Sequence, residues 1–282
     1  MSDSLDQFIA ASRNLPALPA QIGRLLHTLD DPNRSARDFE RIVVADPTLS
    51  AQLLKLANSV FYSRQEKVVT LSMALVRLGQ KTVKSLILTV WTQTLRRFAK
   101  REDELALVTR LLTHGTACGV ASRLLMRARA RGGEEEAFVA GLLHDIGRVA
   151  LICQMGLNYG MRVLDWAAAE GRDLREAETE RNGFDHGQLG ARLMRSWNLP
   201  PLYAETAERH HDANLSPETD PVLCAVALAD KLVTDMGYNV VPEAPRMCRD
   251  DLASHFKIDE LPEFRENCRE ETERMLQALS SL

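Results

Sequence analysis

Residues 138–153 read FVAGLLHDIGRVALIC. Apolar side chains (Val139, Leu142, Leu143, Ile146, Val149, Leu151, Ile152) are too densely placed for a single stripe. The segment is therefore expected to be one helix, Phe138 to Cys153, buried on nearly all sides. His144 and Asp145 fall in its middle. Burying such a pair is costly unless the two are hydrogen-bonded to partners or bound to a metal ion.

Working outward, the 3.6-residue rhythm continues in both directions. Upstream, 103–130 is long and amphipathic, and Gly132-Gly133-Glu134-Glu135-Glu136 breaks it, with acids suited to the next helix start. Further upstream, Ile22, Leu25, Leu26 and Leu29 form one stripe, and Ser35 is placed to cap a helix carrying Phe39, Ile42, Val43 and Val44. Asp46-Pro47 opens a helix with Leu49, Leu53, Leu54 and Leu56, since aspartate caps and proline suits the first turn. Residues 59–70 read as a loop, with Asn58 available to satisfy backbone at the helix end. Ser72 is expected to cap a helix ending at Gly79, before another running through Val83, Leu86, Ile87, Val90 and Trp91. Downstream, helices are expected over 186–197, from Pro200-Pro201 to His210-His211, over Val222–Val233, and in the acidic tail 243–282. No strand alternation and no repeat of fixed period occur. The expected fold class is all-α.

The composition, 45% hydrophobic and 26% charged with net charge −4 over 282 residues, excludes disordered and collagen-like classes. No uninterrupted apolar run approaches the roughly 18 residues of a membrane span, and the N-terminus lacks a signal-peptide pattern, so a cytoplasmic protein is expected. Cys118, Cys153, Cys224, Cys248 and Cys268 are scattered, without CxxC, and are expected to be reduced. Trp91, Trp166 and Trp197 read as core or helix-interface residues. From Arg64 to Arg101, Glu66 is the lone acid among nine bases, so the remainder is acidic. Solvated helix faces explain that block, and a nucleic-acid partner is not expected because no recognised binding signature accompanies it.

The histidines carry the chemistry. His114, His144, His186, the pair His210-His211 and Asp230 each lie beside an apolar stripe on separate segments; His27 and His255 fall outside this set. Imidazoles and carboxylates together suit a divalent transition metal such as iron, manganese or zinc. Bland readings stand beside this one. His114 suits a half-buried core position equally well, His186 a helix-cap region, and His210 or His211 a solvated helix end. Asp230 suits an ion pair with Lys231 or Arg148.

His114, His144-Asp145 and Asp230 resemble the H…HD…D pattern of the HD superfamily of metal-dependent phosphohydrolases. His186 and His210-His211 are similar to the additional ligands of HD-GYP phosphodiesterases, which hold two or three metals. A longer resemblance covers about residues 12–235. Leu15-Pro16-Ala17-Leu18-Pro19, Ala45-Asp46-Pro47-Thr48-Leu49-Ser50, Leu56-Ala57-Asn58-Ser59-Val60-Phe61-Tyr62 and Ala74-Leu75-Val76-Arg77-Leu78-Gly79 resemble HDOD domains, as do Asp185-His186-Gly187-Gln188-Leu189-Gly190 and Trp197-Asn198-Leu199-Pro200. HDOD domains are HD-related output modules of bacterial signalling, most of them lacking metal ligands.

This sequence departs from both patterns. It keeps a full potential ligand set, yet Asp212-Ala213-Asn214 stands where the GYP segment would follow the double histidine. Arg148 replaces the usual lysine after HDIG, and arginine and lysine are not interchangeable at a phosphate. The resemblance implies an HDOD-type multi-helix fold: an N-terminal helical subdomain (1–101), an HD-like subdomain with the metal site (102–240) and a C-terminal helical extension (241–282). It implies a metal site of His114, His144, Asp145, His186, His210, His211 and Asp230, with Asp145 and Arg148 as catalytic candidates. The expected function is a regulatory module that binds a signalling protein or a small anionic or nucleotide ligand. The alternative is a metal-dependent phosphohydrolase. No receiver, GGDEF or EAL segment is expected, so the signal would come from a separate protein or ligand.

Overall fold

A computed structural model describes residues 2–12, 15–62, 67–156, 159, 163, 165–171, 173–212, 214–239, 256, 258 and 261–282. No strand occurs among them. Arg64, Glu66, Ala213, Cys248, His255 and the 243–255 part of the expected tail helix lie outside the described residues. The chain divides into two compact units: Met1–Ala17 with Leu95–Arg265, and Leu18–Thr94 with Glu266–Leu282.

The first unit opens with α1 (Ser2–Ala11), where Phe8 meets the Phe184 ring at 5.1 Å between centroids. The second unit holds α2 (Ala20–Asp30), α3 (Ala36–Val44), α4 (Pro47–Ala57), α5 (Leu71–Leu78) and α6 (Gln80–Gln93). The capping logic holds locally. Ser35 and Asp38 form a capping box at α3, and Asp46 accepts the Leu49 amide at 3.0 Å at the start of α4. Asn58 ties off the following loop by donating to the Leu54 carbonyl at 2.8 Å and to Val68 at 2.7 Å, while accepting the Val68 amide at 2.7 Å. At α5 the cap is Thr70 rather than Ser72. Ser72 lies inside the first turn, and its hydroxyl donates to the Glu40 carboxylate instead. Trp91 is buried in α6, as expected.

The first unit resumes with α7 (Glu102–Arg129), α8 (Glu134–Leu143), α9 (Ile146–Met155), α10 (Asp165–Glu170), α11 (Leu174–Asn182), α12 (His186–Ser196), α13 (Pro201–Arg209) and α14 (Pro221–Val233). A π-helical turn, Thr234–Tyr238, follows α14. The last helix, α15 (Leu261–Ser280), belongs mostly to the second unit and buries Cys268, Thr272, Met275 and Leu279, one stripe at helical spacing.

The expected single helix Phe138–Cys153 is in fact two. A turn at His144-Asp145, with Asp145 at φ −100° and ψ 16°, separates α8 from α9. The apolar run reports burial on all sides, not helical continuity, and burial survives the turn. In an unbroken helix adjacent side chains diverge by about 100°. The turn instead leaves His144 Nε2 and the Asp145 carboxylate 3.5 Å apart. By composition Glu134–Met155 is long and apolar enough to cross a membrane, but 89% of its most apolar window is buried within the fold.

α7 packs against α8 and α14, and α12 against α9 and α13. Glycines let α7 and α8 approach closely. A Cβ at Gly119 would stand 2.7 Å from the Phe138 carbonyl oxygen, and one at Gly141 would stand 2.9 Å from the Cys118 carbonyl. Both contacts are backbone, which cannot swing aside. Gly119→Ala is therefore expected to destabilise the protein by about 1–3 kcal/mol, as overpacking does. Gly23→Ala, in α2 with nothing within 4 Å of its added Cβ, should stabilise by about 0.5–1 kcal/mol. Urea unfolding of the two variants checks the contrast.

Candidate metal centre

Separate segments of the first unit bring the expected ligands together. α7 supplies His114, the α8–α9 turn supplies His144 and Asp145, and α9 supplies Arg148. α12 supplies His186 as its first residue. Asp185, not His186, does the capping there, through a box with Gln188. His210 and His211 close α13, which Pro201 opens, and Asp230 comes from α14.

His114, His144, Asp145, His186, His210 and Asp230 are buried, and His211 is half-buried. Asp145 lies between two groups. Its Oδ2 faces His114 Nε2 at 3.8 Å and His144 Nε2 at 3.5 Å, while its Oδ1 faces His186 Nε2 at 3.4 Å and His210 Nε2 at 3.7 Å. His114 Nε2 is also 3.2 Å from Asp230 Oδ1, and the His186 and His211 Nε2 atoms are 3.0 Å apart. Three triads have ligand atoms within 4.8 Å of one another: His114–His144–Asp230, His144–Asp145–His210 and His186–His210–His211. All seven expected ligands converge. Lys231, the bland ion-pair partner for Asp230, lies 3.7 Å from Asp235.

The other ring nitrogens explain the aim of these imidazoles. Nδ1 of His114 bonds the Tyr238 carbonyl at 2.9 Å, that of His144 the Gly141 carbonyl at 2.7 Å, and that of His210 the Ala207 carbonyl at 2.9 Å. His186 Nδ1 bonds the Glu178 carboxylate at 2.6 Å. Each acceptor requires a proton on Nδ1, so neutral Nε2 atoms present lone pairs to the interior. There they meet carboxylate oxygens and one another.

Lone pairs facing lone pairs need a positive charge between them. His114 Nε2, His144 Nε2, His210 Nε2 and both Asp145 oxygens have no hydrogen-bond partner of acceptable geometry, although carboxylates and imidazoles lie within 4 Å. This donor set fits a divalent transition ion, and the carbonyl and carboxylate tethers on Nδ1 are the outer contacts that orient metal-bound histidines.

Electrostatics agree. Burial opposes ionisation of Asp145, but the Arg148 guanidinium, 3.0 Å away, holds its carboxyl well below the usual range. Burial pushes His144 down and His210 well down, which keeps both neutral, as ligands must be. Burial also works against the charged form of His114, yet the charges of Asp230, 3.2 Å away, and of Asp145 raise its pKa overall.

His27 is exposed on α2 and belongs to the other unit. Sequence reasoning missed Glu178, the Tyr159 hydroxyl that donates to it, and the Tyr238 carbonyl. Glu178 sits in the charge-rich helix Leu174–Asn182, where Leu174, Ala177 and Glu178 form the buried stripe. That i, i+3, i+4 spacing was the available signal.

The HDOD domain pattern matches residues 15–213. The chain belongs to the HDOD family. An HDOD domain protein of unknown function from Geobacter sulfurreducens is similar to it, at TM-score 0.75 and 21% identity, covering 99% of this chain and 93% of that one. A candidate phosphohydrolase from Shewanella amazonensis SB2B superposes at TM-score 0.71 with 23% identity, covering 98% of each chain. A candidate signal transduction protein from Marinobacter aquaeolei VT8 does so at 0.67 and 21%, covering 99% of this chain and 64% of that one. These likenesses concern the fold. An uncharacterised protein of Treponema pallidum (strain Nichols) is 24% identical over 257 residues, 89% of this HDOD chain, which spans about half (48%) of that relative's length.

If a cation completes this HDOD centre, adding manganese to chelator-treated protein should raise its melting temperature, corresponding to about 2.7 kcal/mol at 100 times the dissociation constant. Because the neighbouring carboxylates raise the pKa of His114, which ligates only without a proton on Nε2, affinity should weaken and proton release on binding should grow as pH falls. Calorimetry in two buffers of different ionisation enthalpy measures that release.

Proposed function

We propose that this chain is a metal-binding regulatory HDOD module of the bacterial cytoplasm, in which an ion held by the buried cluster stabilises the helical arrangement that a partner recognises. The observation that carries this reading is the enclosure of the ligands together with the charge beside them. Of the seven, His211 alone is more than slightly exposed. His211 also lines a cavity of about 670 Å³ with Asp173, Arg175, Glu176, Thr179, Glu180 and Asp185. Four carboxylates there surround one guanidinium, and Arg175 is already paired with Asp185 at 3.0 Å. Such a lining repels a phosphate-bearing substrate and attracts cations. The buried thiols of Cys118, Cys153, Cys224 and Cys268, which form no disulfide among the described residues, accord with a reducing compartment.

In this reading His114, His144, Asp145 and Asp230 hold one ion and Asp145, His186, His210 and His211 a second, with Asp145 contributing one oxygen to each. Iron, manganese and zinc suit the mixed imidazole–carboxylate set. The partner is a signalling protein or a small ligand.

A second reading, metal-dependent phosphohydrolysis, draws on one observation: a buried Arg148 beside the cluster. A bound ion supplies Lewis acidity at a phosphoryl oxygen. Arg148 can clamp phosphate oxygens bidentately, and Asp145 orients Arg148 through their 3.0 Å contact.

The test pairs elemental analysis of protein purified without chelator with Asp145→Asn. One or two equivalents of transition metal in the wild type, lost in Asp145→Asn together with several degrees of thermal stability, is the expected result. Metal-free wild-type protein would sink the proposal. Turnover of phosphodiesters that is abolished in Asp145→Asn and reduced in Arg148→Lys would replace it with the second reading.

A further inference from the structure

The four buried histidines of the centre are not equivalent. Three lean on backbone carbonyls through Nδ1, and His186 leans on a carboxylate. Glu178 and His186 are fully buried, and Tyr159 is 1% exposed. One oxygen of Glu178 accepts both His186 Nδ1–H, at 2.6 Å, and the His186 backbone N–H, at 2.8 Å. The other accepts the Tyr159 hydroxyl. Burial and the nearby Glu178 charge push the Tyr159 phenol well above its ordinary pKa, so it remains a donor. The resulting chain, Tyr159–Glu178–His186, ends on a lone pair aimed at Asp145 and His211. A charged acceptor on Nδ1 pushes more electron density toward Nε2 than a carbonyl does, and losing such an outer contact typically weakens metal affinity 10–100-fold.

We propose that Glu178 is a positioning residue which, through His186, makes the His186–His210–His211 half of the centre the tighter of two ion positions. This rests on the metal-binding reading above and goes beyond it by ranking the two halves. Tyr159 supports Glu178 by holding its second oxygen.

The experiment titrates chelator-treated full-length protein with cobalt(II), following visible absorption and heat, and resolves the stepwise constants. Glu178→Gln keeps the shape and an acceptor oxygen but removes the charge. The expected result is a 10–100-fold loss in the tighter step and none in the weaker one. His211→Ala should remove the tighter step, and His114→Ala the weaker. If only one ion binds, loss of that site in His211→Ala and its weakening in Glu178→Gln support the proposal; loss in His114→Ala with no effect of Glu178→Gln overturns it. A merely structural Glu178 would lower the melting temperature and weaken both steps together, and that outcome, or no change in either, overturns the ranking while metal binding stands. A wild type that takes up no cobalt overturns both. Circular dichroism confirms folding of each variant. Should Glu178→Gln not fold, Tyr159→Phe carries the test, with a smaller loss expected in the same tighter step and an unchanged titration counting against the proposal.

Discussion

The first unit is organised around one burial that the chain does not balance by ordinary hydrogen bonds: the carboxylate of Asp145. Removing a carboxylate from water costs several kcal/mol even after relaxation, and an unpaired one is not tolerated. Arg148 answers part of this, at 3.0 Å from Oδ2. The rest is a shell of imidazole nitrogens 3.4 to 3.8 Å away, none oriented as a donor when its Nδ1 carries the proton. The arrangement is coherent if a cation sits among them. Without one it is a cluster of opposed lone pairs at the centre of a packed fold. The helix break at His144-Asp145, the tethers on Nδ1 and the glycine contacts all act to hold that cluster closed.

The glycine contacts show how tightly. A Cβ on Gly147, two residues after Asp145, would lie 1.9 Å from the His186 carbonyl oxygen and 2.9 Å from the Gly190 amide. The backbones carrying Asp145 and His186 therefore touch. Side chains as short as aspartate can serve both halves of the centre only at such a separation. Packing density and chemistry are the same constraint here, because a methyl group in that contact would separate the ligands as well as strain the core.

Much of this was legible in the sequence and some was not, for reasons that differ by residue. Ser35, Asp46 and Gly79 act where local rules place them, because capping is decided within a few residues. The convergence of these seven residues was legible from the family resemblance and from imidazoles and carboxylates lying beside apolar stripes. The turn at His144-Asp145 was not, since apolar density reports burial and leaves helix continuity undetermined. Thr70 and Ser72 are both capping types two residues apart, and tertiary contact with Glu40 separates them. Glu178 was hidden by the charges around it, Arg175, Glu176, Glu180 and Arg181, which make a buried carboxylate read as surface. The Tyr238 carbonyl carries no sequence signal at all, because any residue could supply it.

The ligands span residues 114 to 230. An ion held among them ties together helices that are distant in the chain, so its binding free energy enters the stability of the whole unit and not of one loop. Catalysis requires an open coordination position and a route for substrate, and open sites are characteristic of catalytic metals as closed ones are of structural metals. Here six of the seven residues are buried, and the cavity that half-buried His211 lines is also lined by Asp173, Glu176, Glu180 and Asp185. Small cations can pass such a lining, whereas a phosphodiester must bring its own negative charge against it. In the regulatory reading proposed above, occupancy of the centre would set the state of the fold.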